Sequence, residues 1–325
     1  MLITSLRMLL GINSCLLILA AVAWQATAIQ EDCPHPEDSY PCYCEDDEER
    51  SVMHCNNLEK NEQLVQALQK LTDFHLYTLS VWMFDTATIK SDAFKGPTFK
   101  EITFTHSQLI LESPPFLGQE KSLGRLTFIS SFDEEDPLKP LSMGHLTKLK
   151  EITFEKNEIK VLKNDWLTSV GPSFRSITFD ECKIEELEDG VFSKLSSLTT
   201  IFVMNNKIST VSRSMFPKDA SSLRSITLSG NKITSLPTDF FKNMPSLMSV
   251  DLERNQLTAI PESTWLPVFE QISRLYLADN PIACDKSLKW ITKKAPPKQF
   301  TGRCSKPQSL KGREIRLLTP AELRF

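Results

Sequence analysis

The stretch LKEITFEKNEI, residues 149–159, contains the pattern that decides the fold. Its core KEITF, residues 150–154, also occurs at residues 100–104, and the related SITF and SITL follow at 176–179 and 225–228. Apolar residues occupy positions 1, 4, 6 and 11 of this pattern, and position 9 is most often Asn. Because side chains alternate along a strand, Ile152 and Phe154 point to one face and Thr153 to the other.

The pattern returns every 24 to 26 residues along the chain. Six consecutive units keep it, and they begin at Leu149, Phe174, Leu198, Leu223, Leu247 and Ile272. Three less regular units precede them, and we predict that these begin at Phe74, Phe99 and Leu123. A strand this short cannot bury its apolar side alone, but nine stacked strands form a continuous core. The sequence therefore predicts a solenoid built on a parallel sheet.

The unit resembles the leucine-rich repeat, L-x-x-L-x-L-x-x-N/C-x-L, over residues 74–283. The resemblance implies an α/β solenoid, a leucine-rich repeat horseshoe with a parallel concave sheet and disulfide-bonded terminal caps. Position 9 should form a buried ladder, because unpaired backbone groups there would cost about 1–3 kcal/mol each. The predicted ladder residues are Asn157, Cys182, Asn206, Asn231, Asn255 and Asn280. In the three early units Trp82, Ser107 and Ser131 take this position.

The beginning of the chain has the features of a secretory signal. Arg7 precedes an apolar run, and Ala26-Thr27-Ala28 offers a cleavage site. An uncleaved anchor is the alternative, although the run is short for a membrane span of about 20 residues. We predict a signal peptide at 1–28, a cysteine-rich N-terminal cap at 29–73, about nine repeats at 74–283 and a C-terminal cap at 284–325. The mature protein would be secreted and extracellular, with no membrane span.

Cysteines mark both ends of the predicted solenoid. Four lie in the N-terminal segment, namely Cys33, Cys42, Cys44 and Cys55. Their spacing alone allows three disulfide pairings, and a zinc site is the rival interpretation, which a secreted context disfavours. The segment resembles the N-terminal cap of extracellular leucine-rich repeat proteins, and that resemblance implies Cys33–Cys44 and Cys42–Cys55.

The C-terminal segment resembles the corresponding C-terminal cap. This resemblance implies a Cys284–Cys304 bond, while Lys286 stands where the family has another cysteine. The fourth family cysteine would fall near Phe325, so a whole disulfide is missing rather than half of one. Cys182 is left without a partner, and we interpret it as a buried structural thiol.

The two ends differ in charge. Residues 31–50 hold nine acids and one base, whereas residues 284–316 hold ten bases and two acids. A basic end of this kind has three interpretations. It can serve solubility alone, head-to-tail association of copies of the chain, or contact with a polyanion such as a sulfated glycan. The net charge of −4 gives no indication of nucleic-acid binding.

No catalytic signature is present in the sequence. We find no G-x-S-x-G, H-E-x-x-H or G-x-x-x-x-G-K-[ST], and the five histidines are scattered, so we predict no enzyme, no metal and no cofactor. The exposed side of the strands carries a column of threonines that Phe202 interrupts. An apolar anchor among charges is typical of a protein-binding hot spot. The predicted contact residues are Phe202, Met204, Arg254, Arg274 and Tyr276.

The narrower resemblance is to arthropod secreted leucine-rich repeat proteins, including the non-catalytic leucine-rich subunit of Oplophorus luciferase. It rests on the "CP…PCYC…C" start and the short ITF-type strands. It implies a binding or scaffold protein that holds an extracellular protein partner on its concave face, as an accessory subunit. The alternative is recognition of anionic glycans or microbial surfaces through the basic C-terminal cap.

Overall fold

A computed structural model describes residues 33–47, 50–84, 88–133 and 138–323. The predicted signal peptide lies outside these residues. Among the described residues, no helix is long and apolar enough to cross a membrane.

One large sheet runs through most of the chain. Its neighbouring strands are all parallel except for the first pair, which is antiparallel. Numbered along the chain and given in spatial order, the strands are β1 (Tyr43–Asp47), β2 (Arg50–Asn56), β3 (His75–Trp82), β4 (Thr98–Thr105), β5 (Arg125–Ile129), β7 (Glu151–Glu155), β10 (Ser176–Asp180), β12 (Thr200–Met204), β13 (Ser225–Thr227), β14 (Ser249–Asp251), β15 (Arg274–Tyr276) and β16 (Gln299–Phe300). Nine of the twelve strands lie between residues 74 and 283.

The connections between these strands contain little regular structure. Two small sheets pair β6 (Leu141–Met143) with β9 (Leu167–Val170), and β8 (Val161–Leu162) with β11 (Glu186–Leu187). The described helices are α1 (Pro36–Ser39), α2 (Asn61–Leu68) and α3 (Glu262–Phe269). Short 3₁₀ turns occur at Arg213–Met215, Lys286–Leu288, Ile291–Lys293, Gln308–Leu310 and Ile315–Leu317. This arrangement fits a solenoid-like leucine-rich repeat fold, as the sequence pattern predicts.

Strand register places equivalent positions of neighbouring repeats side by side. Ile152 pairs with Leu126 on one side and with Ile177 on the other, so position 4 forms a row across the sheet. Position 6 forms a second row, in which Phe104, Phe128, Phe154 and Phe179 stack with ring centroids 5.6, 5.2 and 4.8 Å apart. These spacings follow from the distance of about 4.8 Å between adjacent strands. Aromatic pairs of this kind add about 0.5–1.5 kcal/mol each beyond their burial.

Position 9 carries buried side chains that link each repeat to the one before it. The Asn206 amide donates to the carbonyl oxygens of Phe179 at 3.0 Å and Met204 at 2.6 Å, and its oxygen accepts from the Ile184 amide at 3.1 Å. Asn231, Asn255 and Asn280 repeat this arrangement. Asn157 donates to Phe128 and accepts from two backbone amides. Each side chain therefore satisfies backbone groups that would otherwise be buried and unpaired.

Cys182 occupies the same position with a thiol, and it is the free cysteine of the described residues. Its Sγ donates to the carbonyl oxygens of Phe154 and Asp180, both at 3.3 Å. A thiol is a poor acceptor, and the amide of Ile159 donates instead to the Cys182 backbone carbonyl at 2.9 Å. Burial raises the pKa of the Cys182 thiol to about 12, so it stays protonated at physiological pH.

The first repeat departs from the predicted register. Leu76 pairs with Phe99 and Leu79 with Ile102, so the repeat begins at Leu76 and the predicted start at Phe74 is wrong by two residues. Position 9 therefore falls on Phe84, which is fully buried, and its amide donates to the Ser107 hydroxyl at 3.1 Å. The sequence-based placement of Trp82 in the ladder is wrong for the same reason. Its side chain is on the surface, 47% exposed.

The residue at position 8 has a left-handed backbone in ten successive turns. The φ angle lies between +49° and +69° throughout this series. The series is Asn57, Met83, His106, Ser130, Lys156, Glu181, Asn205, Gly230, Arg254 and Asp279. Left-handed backbone is uncommon for residues other than Gly, Asn and Asp. Its recurrence here shows that the turn after each strand imposes the conformation on whatever residue is present.

Disulfides close both end segments. The bonds are Cys33–Cys44, Cys42–Cys55 and Cys284–Cys304. These are the pairs that the cap resemblance implies, and they leave no thiol of the N-terminal four for a zinc site. β1 and β2 carry the N-terminal segment into the large sheet, and β16 does the same for the C-terminal segment. The capping role of the two segments stays a prediction.

Replacing Asn231 with Ala should lower the free energy of unfolding by about 2–4 kcal/mol, because it leaves the Val203 carbonyl and the Ile208 amide buried without their side-chain partner. Chemical denaturation of the disulfide-bonded protein measures this change. Lys232→Ala, at the exposed neighbouring residue, is the control and should change stability by less than about 0.5 kcal/mol. Equal effects of the two substitutions would contradict the structural role of the ladder.

The Cys182 thiol should not react with a soluble thiol reagent at neutral pH while the chain is folded, and it should react fully in denaturant, because it is buried and protonated. Mass spectrometry after timed labelling measures the modification. Cys182→Ser, labelled in parallel, identifies any signal from another cysteine. If the native protein is labelled rapidly and Cys182→Ser is not, the Cys182 thiol is accessible and the prediction is wrong.

Candidate partner-binding face

The candidate site is the face of the large sheet opposite its core, which we call the open face. It carries positions 3, 5 and 7 of each repeat, and most of these side chains are half-buried or exposed. At position 5 it carries Thr103, Thr127, Thr153 and Thr178 in adjacent strands. Thr227, Ser229 and Ser249 are the buried members of these rows.

Phe202 and Met204 lie on β12, in the middle of this face, where the sequence predicts an apolar anchor. Phe202 stands beside Thr178 and Thr227, and Met204 stands beside Asp180. Both side chains are half-buried. Part of their apolar surface is therefore already covered by the protein itself.

Two successive hydrogen bonds connect Arg254 to the region of Phe202 and Met204. Its Nη2 donates to Asn205 Oδ1 at 3.2 Å, and Asn205 Nδ2 donates to Asp180 Oδ1 at 2.7 Å. Gly230 lies between Asn205 and Arg254 in the position-8 row. A Cβ at Gly230 would lie 2.4 Å from Asn205 Oδ1. Only glycine at this position therefore leaves room for the Arg254 side chain to reach Asn205. The structure thus brings Arg254 next to the Phe202 and Met204 region.

Arg274 and Tyr276 lie further along the sheet. They belong to β15, which is separated from β12 by β13 and β14. Three strand spacings amount to about 14 Å. The Tyr276 hydroxyl donates to Gln299 Oε1, which directs this side chain toward the C-terminal end. The five predicted contact residues therefore form two groups rather than one cluster.

An acidic side chain separates the two groups. Asp251 pairs in register with Thr227 and Tyr276, at position 5. Burial, reinforced by the charge of Glu253, holds the pKa of the Asp251 carboxyl above its ordinary value. Its Oδ1 accepts from the Glu253 amide at 2.9 Å. A cationic group of a partner would compensate the charge of this half-buried carboxylate.

The sequence-based prediction missed an exposed group of large side chains at the N-terminal end of the open face. We define this aromatic patch as Tyr43, Trp82 and Met83, which are 43%, 47% and 50% exposed. The Tyr43 ring stacks on His54 at 5.0 Å, and Asn56 pairs in register with Trp82. The sequence does contain a signal for this patch, the dipeptide Trp82-Met83. The predicted register, which is wrong by two residues in this repeat, assigned Trp82 to the buried position 9.

An open concavity of about 830 Å³ lies at the C-terminal end of the face. Its lining includes Tyr276, Lys298, Lys311 and two arginines that bond to a carboxylate. Arg303 and Arg316 contact Glu314 at 3.3 and 2.8 Å. Glu314 thus offsets part of the positive charge that lines this concavity.

Comparisons with known proteins bear on the repeats. The family described as Leucine rich repeat matches residues 221–282, and the BspA type Leucine rich repeat region (6 copies) matches residues 142–248. No catalytic family is found, and leucine-rich repeat proteins are typically non-enzymatic binding modules. No curated protein matches the chain, so the narrower resemblance to arthropod proteins and to a luciferase subunit is not supported. The two family matches, the in-register parallel strands and the buried ladder together support a leucine-rich repeat protein.

Proposed function

We propose that this chain is a secreted, non-catalytic binding or scaffold protein that holds a protein partner on its open face. The observation that carries the proposal is the aromatic patch. Trp82 and Met83 each leave about half of their surface exposed on a sheet whose other rows are mainly polar. Trp and Tyr are enriched among the few residues that dominate protein–protein binding energy.

The position of the patch favours a broad interface. From Trp82 the position-7 row continues through Thr105 and Ile129, so an apolar side chain recurs two strands away. Phe202, Met204 and Arg254 would form a second contact region further along. A partner that spans both regions would cross at least five strand spacings, or about 24 Å, which is in the size range of ordinary protein interfaces.

Secretion is part of the same proposal. Three disulfides support an oxidising compartment, since such bonds rarely persist in the cytosol. The apolar N-terminal run with its A-x-A site supports the same location. A role as accessory subunit would then require a catalytic chain in the same fluid, with which this protein would co-purify in fixed stoichiometry.

The alternative function is recognition of anionic glycans through the basic C-terminal segment. The concavity of about 830 Å³ and the exposed Lys298 and Lys311 favour it. Four of the ten bases, however, form ion pairs with glutamates of the chain, which weakens the field available to a ligand. These bases are Lys294, Arg303, Arg313 and Arg316.

The double variant Trp82→Ala, Met83→Ala should weaken binding of the protein partner by about 30-fold or more, because hot-spot residues cost at least about 2 kcal/mol when truncated. The partner is first isolated by stoichiometric co-purification with the native chain and identified, and its purified form is then titrated by calorimetry. Phe202→Ala, Met204→Ala, made in the same way, should have a smaller effect because both side chains are half-buried.

Leu317→Ala is the matched control, since Leu317 is 47% exposed and lies in the C-terminal segment, away from the aromatic patch. It should leave the affinity unchanged. Thermal unfolding of each variant shows whether the fold is retained. Unchanged partner affinity in both double variants would sink the proposal that the open face is the binding surface.

A further inference from the structure

A second concavity lies where β3, β4, β5 and β7 begin, at the opposite end of the strands from the aromatic patch. Its volume is about 430 Å³. Lys100, Lys121, Lys148 and Lys150 line it, and we call these four the basic row. They come from three successive repeats, and all four side chains are exposed.

The charges of this concavity are not balanced. Four lysines and one arginine face two glutamates, which leaves a net charge of +3. Both glutamates are already engaged, since Arg125 contacts Glu101 at 2.9 Å and Glu151 at 3.1 Å. Within the part of the chain that the structure describes, no lysine of the basic row forms an ion pair. Their charge is therefore available to a ligand.

One wall of the concavity is held in place by an aromatic ring. The Lys100 ammonium lies 5.2 Å from the centroid of the Tyr77 ring, and the Arg50 guanidinium lies 4.5 Å from it. Both distances are within the range of cation–π attraction. Tyr77 thus restrains Lys100 at the rim without neutralising it.

Gly124 opens the middle of the concavity. In the position-2 row it lies between Lys100 and Lys150, and its amide donates to the Lys100 carbonyl at 2.8 Å. Neither its backbone nor its surroundings require glycine, because a Cβ there would meet Lys100 O at 3.5 Å and Lys148 O at 4.0 Å. These are ordinary contacts. The missing side chain leaves a gap about two strand spacings, or 10 Å, wide between two cations.

We propose that the basic row binds a sulfated glycan, whose sulfate groups would lie between Lys100 and Lys150 and whose chain would run across the strands. This inference goes beyond the proposed function, because it uses neither the aromatic patch nor the basic C-terminal segment, and it rests on the proposed function only for the secretion of the chain. Lysine ammonium groups on flexible stems suit a ligand with several anionic groups rather than one fixed carboxylate. The disulfides favour a glycan over a nucleic acid, because they indicate an oxidising, extracellular compartment where sulfated glycans occur.

The test is titration of the disulfide-bonded protein with a size-defined heparin oligosaccharide. The double variant Lys100→Gln, Lys150→Gln should weaken binding about fivefold to tenfold. The affinity of the unmodified protein should fall steeply between about 0.1 M and 0.5 M salt. Gly124→Glu should weaken binding further, because it inserts a carboxylate between the two lysines. Gly124→Lys, of similar bulk, should preserve or strengthen binding, and circular dichroism checks the fold of each variant.

Lys286→Gln, Lys293→Gln removes the same number of charges from the rival site in the C-terminal segment, and it should leave the affinity unchanged if the basic row is the binding site. A loss in this variant with none in Lys100→Gln, Lys150→Gln would overturn the proposal in favour of the C-terminal segment. Equal weakening by Gly124→Glu and Gly124→Lys would overturn it as well, since charge would not matter. Desulfated oligosaccharide or single-stranded DNA that binds as tightly as the sulfated probe would refute selectivity for a sulfated glycan.

Discussion

In-register pairing of parallel strands is the constraint on which the rest of this structure depends. It aligns each residue with its counterparts about 25 residues away in both directions. Apolar positions consequently become a continuous core, and phenylalanines at position 6 become a stack. The amide ladder at position 9 maintains this register from within, because each asparagine bonds to the backbone of the preceding repeat. The same alignment turns surface residues into rows, so binding features also extend across strands.

The interior was largely predictable from the sequence because burial leaves few choices. Isoleucine and phenylalanine in KEITF alternate with polar residues, and only one face of the strand can be buried. The error in the first repeat has a physical origin. A shift of two residues preserves the alternation between the two faces, so the apolar pattern alone cannot exclude it. Only pairing with the next strand, Leu79 with Ile102, places Phe84 in the core and Trp82 on the surface.

The candidate site was less predictable because it depends on side chains from different repeats. Phe202 was found from the sequence because it breaks a threonine column. The contact of Arg254 with Asn205, two repeats apart, depends on the open space at Gly230, which no single repeat reveals. The grouping of the lysines in the basic row could not be predicted from the sequence either. Lys100 and Lys150 are fifty residues apart in sequence, and only the register shows Gly124 between them.

The aromatic patch and the basic row lie at opposite ends of the strands. Trp82 at position 7 lies five residues from position 2, a distance of about 16 Å along a strand. This exceeds the range of about 10 Å over which exposed charges act at 0.1 M salt. A polyanion on the basic row would therefore neither cover the aromatic patch nor strongly change its electrostatic potential. Apolar binding at the patch should persist in salt that releases the polyanion, because dispersion and water release do not depend on screened charge. If both proposed sites bind, one sheet would hold two chemically different ligands, each with its own response to ionic strength.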